Sequence, residues 1–258
     1  MRAVSATRYV TPLREGGSLP GLVEADDDGL YVVKFRGAGQ GHRALIAELV
    51  AGELARRLGL PVPEIAFVEL DPAFGRNEGD FEIKALLDNS AGLNLGLDFL
   101  PGSIAYDPVA PHGPSPELAS RIVWFDAYVT NVDRTARNTN MLLWHRQLYL
   151  IDHGASLYFH HAWRDWESAA RAPFAPIAQH VLLPLATDLT TADRELSARL
   201  DRATIERVLA LIPDGWLGDV PELGDPSTHR TAYARYLLSR LEEPRPFLPE
   251  TIGARGAV

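Results

Sequence analysis

Five polar residues stand where the hydrophobic pattern predicts the middle or the ends of regular elements. Lys34 interrupts the apolar run YVVKF, and Glu48 sits in the helical pattern that follows it. Asp133 and Asn138 lie in the polar stretch NVDRTARNTN. Asp152 directly follows LYLI and precedes His153 and Gly154. Each has a plain structural explanation of its own. A strand lysine can hold a solvated ammonium on a sheet edge. Asp and Asn favour turns. A carboxylate ending a buried strand caps a turn or holds a cation. In this order, however, the residues are the components of phosphoryl transfer. A triphosphate needs a fixed cation, which Lys34 supplies, and Glu48 can orient that long side chain. The accepting hydroxyl needs a carboxylate within hydrogen-bond reach, the part assigned to Asp133. Magnesium takes hard oxygen ligands, which Asn138 and Asp152 offer from two loops.

Several elements must position these groups. Residues 19–25 and 30–35 read as two strands joined by Asp-Asp-Asp-Gly, a hairpin signal. The two-residue period puts Tyr31, Val33 and Phe35 on one face, with Val32 and Lys34 on the other. After the Gly-rich link GAGQG, residues 44–58 form a helix with Leu45, Leu49, Gly52 and Leu58 in its apolar stripe. Gly59 stops it, and Pro61 and Pro63 prevent its resumption. Residues 64–70 read as a strand, 71–80 as a loop, and LDFLPGS as a short strand and connector ending at Ser103. Residues 107–116 form a proline-rich loop, and 116–130 a largely buried helix. The runs MLLW and QLYLI are strands, and residues 192–200, 204–212 and 231–241 are helices. The expected fold class is α+β, with a small β-rich lobe followed by a larger α-rich lobe.

The 258 residues hold 25 Lys and Arg against 34 Asp and Glu, a net charge of −9, and no Cys. Such a length suits one large domain or two lobes around a cleft. The lack of Cys excludes a disulfide scaffold, thiolate zinc sites and a cysteine nucleophile. The acidic balance argues against direct nucleic-acid binding. No apolar run approaches the roughly 18–20 residues of a membrane span, and the N-terminus lacks a signal-like apolar stretch, so a cytoplasmic location is expected. His153, His160 and His161 raise the alternative of a zinc site, but their spacing fits no standard ligand pattern. GAGQG has neither Rossmann nor Walker spacing and reads as a connection.

The chain resembles HipA-type kinases, within the group of protein-kinase-like folds that includes the phosphoinositide kinases. The residues that carry the resemblance are YVVKF with Lys34, AELVAGELARRLGLPVP with Glu48, NVDRTARNTN with Asp133 and Asn138, and IDHG with Asp152. Glu48 lies eleven residues before Gly59 of GLPVP, as in the HipA-like pattern, which selects it over Glu53. The match covers roughly residues 8–160. It implies a two-lobed protein-kinase-like fold, with an N-lobe over 1–100 and a C-lobe over 101–258, and ATP and Mg2+ as cofactors. It further implies Asp133, Lys34 and Glu48 as the catalytic set, and Asn138 and Asp152 as metal ligands. Gly16, Gly17 and Ser18 of REGGSLP would lie over the phosphates, and Asp98, Phe99 and Leu100 would line the adenine. Ser18 is the expected analogue of the serine whose autophosphorylation switches HipA relatives off.

The sequence departs from the pattern in places. DHG resembles type II phosphatidylinositol 4-kinases as much as HipA, and the further N-terminal domain of the full-length HipA toxin is not expected here. Val132 precedes Asp133 where typical protein kinases have His-Arg. The leading expectation is a kinase acting on Ser or Thr of a protein. The alternatives are a small-molecule or lipid kinase with the same catalytic parts, and a nucleotide-binding regulator without catalysis. A lipid kinase calls for a basic or apolar membrane-facing patch, against which the net charge of −9 argues.

Overall fold

A computed structural model describes residues 1–13, 19–39, 41–110, 113–218, 220 and 223–257. Its N-terminal part is a closed barrel of β1 (Arg2–Pro12), β2 (Gly21–Ala25), β3 (Leu30–Lys34), β4 (Ile65–Leu70) and β5 (Gly92–Asp98), in the order β1-β2-β3-β5-β4. The expected hairpin is β2–β3, with Leu22 opposite Val32 and Ala25 N–H bonded to Gly29 O at 3.0 Å. Closure comes from parallel pairing of β1 with β4, from Arg2↔Ala66 to Ser5↔Glu69. Tyr31, Val33 and Phe35 point into the barrel with Val4, Val23, Ala66 and Val68. Lys34, one step out of phase, leaves by the other face.

Helix α1 (Gly41–Arg57) packs there, and its whole stretch from Leu45 to Ala55 is buried rather than one stripe. Gly52 permits this closeness, because a Cβ at that position would stand 2.5 Å from Ile65 Cδ1. The helix ends as expected at Gly59, whose φ of +76° lets Leu60 N–H reach back to Ala55 O at 2.9 Å. Arg121 and Arg199 donate to the terminal carbonyl of Leu58 at 2.8 and 2.7 Å, which ties α1 to the C-terminal part.

Two elements of the N-terminal part depart from expectation. Strand β1 was not foreseen, and helix α2 (Phe81–Asp88) follows the expected loop, capped by Asp80, which accepts from Glu82 N at 2.9 Å. The strand expected over LDFLPGS instead spans Gly92–Asp98, so only Leu97 and Asp98 of that segment belong to it.

The C-terminal part carries a small sheet, β6 (Ile104–Ala105), β7 (Met141–Trp144) and β8 (Gln147–Leu150), and mostly helices. Helix α3 (Pro116–Val129) starts at the Ser115 cap with Pro116 in its first turn and stops at Thr130, in left-handed backbone. The three expected helices appear as α5 (Leu189–Ser197), α6 (Arg202–Leu209) and α7 (Pro226–Leu241), while α4 (Trp166–Ala170) and α8 (Leu248–Gly256) are additional. One hydrophobic core runs from α1 through Trp124, Phe125 and Tyr128 of α3 to Leu237 of α7 and Phe247. The architecture is α+β, β-rich at the N-terminal end and helical at the C-terminal end. Among the described residues no helix is long and apolar enough to cross a membrane.

Candidate active site

Lys34 does not sit on a sheet edge. β3 lies between β2 and β5 in the closed barrel, so the solvated-lysine alternative is corrected: Lys34 is 9% exposed. Its Nζ donates to Glu48 Oε2 at 2.5 Å and to Asp152 Oδ1. Burial alone would lower the ammonium pKa, but the charges of Glu48 and Asp152 more than offset it and hold Lys34 above the ordinary lysine range. Burial likewise pushes Glu48 up, and the Lys34 charge, helped by His153, brings it below the usual carboxylate range. Both groups are therefore charged. His153 Nδ1 stands 3.4 Å from Glu48 Oε1, in a geometry that leaves both atoms without a hydrogen bond.

Asp152 follows β8 in left-handed backbone, φ +55°, and its side chain stays 40% exposed. Gly154 keeps space beside the pair, since a Cβ there would lie 3.4 Å from Lys34 Nζ and 3.5 Å from Asp152 Oδ1.

The loop after α3 presents Asp133. Its Oδ2 accepts from Asn138 Nδ2 at 2.7 Å and from Asn140 Nδ2 at 3.1 Å, while its own N–H donates to Asn131 Oδ1 at 3.1 Å. With the Asn138 amide so turned, its Oδ1 is the end left for a cation. Ile151 N–H donates to Asn140 O at 3.0 Å and Met141 pairs with Leu150, which sets the Asn138 loop beside the strand end carrying Asp152. Two oxygen donors on adjacent loops, a carboxylate and an amide, are the hard ligands that magnesium takes.

Beneath this loop is a buried network that the sequence reading missed. Arg134 Nε donates to Asp126 Oδ2 of α3 at 2.6 Å, and its Nη1 donates to Asn140 O. Asn131 Nδ2 meets Asp126 Oδ1 at 3.1 Å. Leu182 N–H donates to His180 Nδ1 at 3.1 Å, so that nitrogen carries no proton and Nε2–H donates to Asp126 Oδ2 at 2.9 Å. Burial lowers the His180 pKa, in keeping with a neutral ring. Burial would raise the Asp126 carboxyl, but Arg134 and His180 hold it below its ordinary value. The available signal was a carboxylate amid the apolar run VWFDAYV.

The remaining expected residues fall elsewhere. Gly16, Gly17 and Ser18 lie outside the described residues, in the β1–β2 connection whose ends meet through Leu13 N–H and Pro20 O at 2.8 Å. At the connector, Asp98 N–H is bonded to Glu64 O at 2.8 Å and Phe99 N–H to Leu30 O at 2.9 Å, with Leu100 buried beside them. The Asp98 carboxylate holds Arg2 Nη2 at 2.5 Å. Of the three histidines, His153 abuts Glu48, His160 Nδ1 pairs with Tyr233 Oη at 2.9 Å, and the His161 carbonyl accepts from Arg43. They do not converge on one point.

The family model described as HipA-like kinase matches residues 7–247, and the chain belongs to that family. It resembles the crystal structure of the Helicobacter pylori proinflammatory kinase CtkA, with TM-score 0.60 and 14% identity over 99% of this chain and 98% of that one. It also resembles the Golgi casein kinase, with TM-score 0.50 and 11% identity over 98% of this chain and 73% of that one. At these identities the likeness shows a protein-kinase-like fold. No curated protein matches the chain.

Proposed function

We propose that this HipA-like kinase transfers the terminal phosphoryl group of ATP to a hydroxyl, that of Ser or Thr in a cytoplasmic protein. The observation that carries the reading is the junction of Lys34, Glu48 and Asp152, which brings the barrel, α1 and the strand end after β8 to one point. Residues 1–100 would form the nucleotide lobe and 101–258 the catalytic lobe. Lys34, held charged by Glu48, grips the nucleotide phosphates. Asn138 Oδ1 and Asp152 would hold Mg2+, which when bound neutralises charge on the phosphate oxygens. Asn138 and Asn140 fix Asp133 through Oδ2, leaving Oδ1 to orient the acceptor hydroxyl. As the acceptor oxygen bonds to the γ-phosphorus, the bond to the bridging oxygen breaks, ADP leaves with its electron pair, and Asp133 takes the hydroxyl proton. Adenine would lie at the connector. There the engaged N–H groups of Asp98 and Phe99 direct its recognition to other backbone atoms of Asp98, Phe99 and Leu100.

Intact mass after incubation with ATP and Mg2+, beside Asp133→Asn, tests this. A phosphate step in the wild type alone supports transfer, and its location on Ser18 would assign self-phosphorylation there. ATP binding with no transfer to self, protein, lipid or small alcohols would remove the catalytic reading.

A further inference from the structure

Strand β1 outruns the strand that closes the barrel. Its pairing with β4 stops at Ser5↔Glu69 and β4 ends at Leu70, whereas β1 continues to Pro12. On the opposite side these later residues pair with β2, from Ala6↔Ala25 to Pro12↔Gly21. Among the described residues, no strand covers the β4-side edge of residues 6–12, and Thr7, Arg8, Val10 and Thr11 are exposed. Such an edge offers backbone N–H and C=O groups to an incoming chain.

The segment after β4 walls this edge without filling it. Asp71, Ala73, Phe74, Asn77 and Glu78 face residues 6–9 across a cavity of about 470 Å3. Phe74 and Leu87 give it apolar surface, and Tyr9 also lines it, its hydroxyl shielded from solvent and without a hydrogen-bond partner. Burial, with Glu78 and Asp80 nearby, pushes the Tyr9 phenol up to about 12, so it keeps its proton. The charge is one-sided. Arg8 is paired with Glu24, Nε to Oε2 at 2.8 Å. Asp71 and Glu78 accept only from the nearby amides of Ala73 and Asp80 and have no ion-pair partner among the described residues.

We propose that this edge binds an extended segment of another protein bearing a lysine or arginine, which adds as a strand beside residues 6–12 and places its basic side chain in the cavity. The strand edge calls for an extended backbone, which a small ligand does not supply. The cationic side chain meets Asp71 and Glu78, which line the cavity. None of these residues belongs to the Lys34–Glu48–Asp152 site, so docking is measurable apart from catalysis.

The test is fluorescence anisotropy of a labelled peptide of alternating valine and threonine with one central lysine, titrated with the full chain. Saturable binding is expected. Replacing the peptide lysine by glutamate, or Glu78→Gln in the protein, should weaken it about tenfold. N-methylation of alternate peptide amides should abolish binding without altering the protein, and Ala73→Trp should abolish it by filling the cavity while thermal unfolding is unchanged. The proposal is overturned by no binding of the lysine peptide at millimolar concentration or by equal binding of the N-methylated peptide. It is equally overturned if butylammonium alone occupies the cavity with the peptide adding no affinity.

Discussion

Asp126 and Arg134 form an ion pair of 2.6 Å in which both side chains are fully shielded from solvent. The pair joins α3 to the loop bearing Asp133, and the same guanidinium reaches the carbonyl of Asn140. Removing one partner strands a buried charge, so Asp126→Asn should cost about 3 kcal/mol in urea unfolding. Arg134→Lys keeps the charge but loses the planar fork that spans Asp126 and Asn140. It should lower kcat by about 100-fold through misplacement of Asp133, with little change in KM for ATP. An equal rise in KM would show that the network serves nucleotide binding instead.

Lys34 and Glu48 allow stability and catalysis to be separated. Lys34→Met leaves the wholly buried Glu48 without its main counter-charge and should destabilise by about 3 kcal/mol. The double variant Lys34→Met, Glu48→Leu replaces both charges with apolar groups and should regain most of that stability while remaining inactive. Urea midpoints and phosphate transfer, measured side by side, decide it. Activity in the double variant would remove Lys34 from phosphate binding.

Of the proposed site residues, Lys34 and Asp152 were legible because each sets a charge at the end of an apolar run, and that mismatch survives in the sequence. Lys34 on the face opposite Tyr31, Val33 and Phe35 followed from strand period alone. Strand β1 was hidden because only Val4 of its eleven residues is buried, so no alternation marks it. Helix α2 buries only Ile83 and Leu87 and begins with Phe81 at 87% exposure, too weak a stripe to read. Asp126, Arg134 and His180 come together only when α3, the loop bearing Asp133 and the segment before α5 pack, and nothing local links them.

Gly59 should be nearly irreplaceable for a backbone reason. Its φ of +76° is costly for any residue with a Cβ, although a Cβ would come no nearer than 3.8 Å to Arg199. Gly59→Ala should therefore destabilise by about 1–2 kcal/mol, from backbone strain rather than a clash. Gly39→Ala, with open space and ordinary φ, should be close to neutral in the same thermal unfolding assay. Equal effects at the two sites would show that left-handed backbone is not what Gly59 supplies.

Stability should fall in two steps on acidification. His160 and His180 are buried, and desolvation, reinforced at His160 by neighbouring cations, lowers both pKa values below the ordinary 6.5. Between the folded pKa and 6.5 the unfolded chain binds the proton and the folded chain does not, so stability rises with pH through that window. Their contribution is whole above 6.5 and is lost as pH falls toward the folded values. Each group adds a slope of about 1.4 kcal/mol per pH unit inside its window. Glu48 and Asp126, held below their ordinary 4.5 and 3.8, act the same way at lower pH, their contributions being lost as pH falls below those values. Urea unfolding from about pH 8 to about pH 4 should thus show a first decline beginning near 6.5 and a second beginning near 4.5. His160→Gln keeps an amide for the Tyr233 hydroxyl and removes its titration, so it should reduce the slope of the first decline, leaving the share of His180, and leave the second decline unchanged. A first decline of unchanged slope in that variant would assign it to groups other than His160.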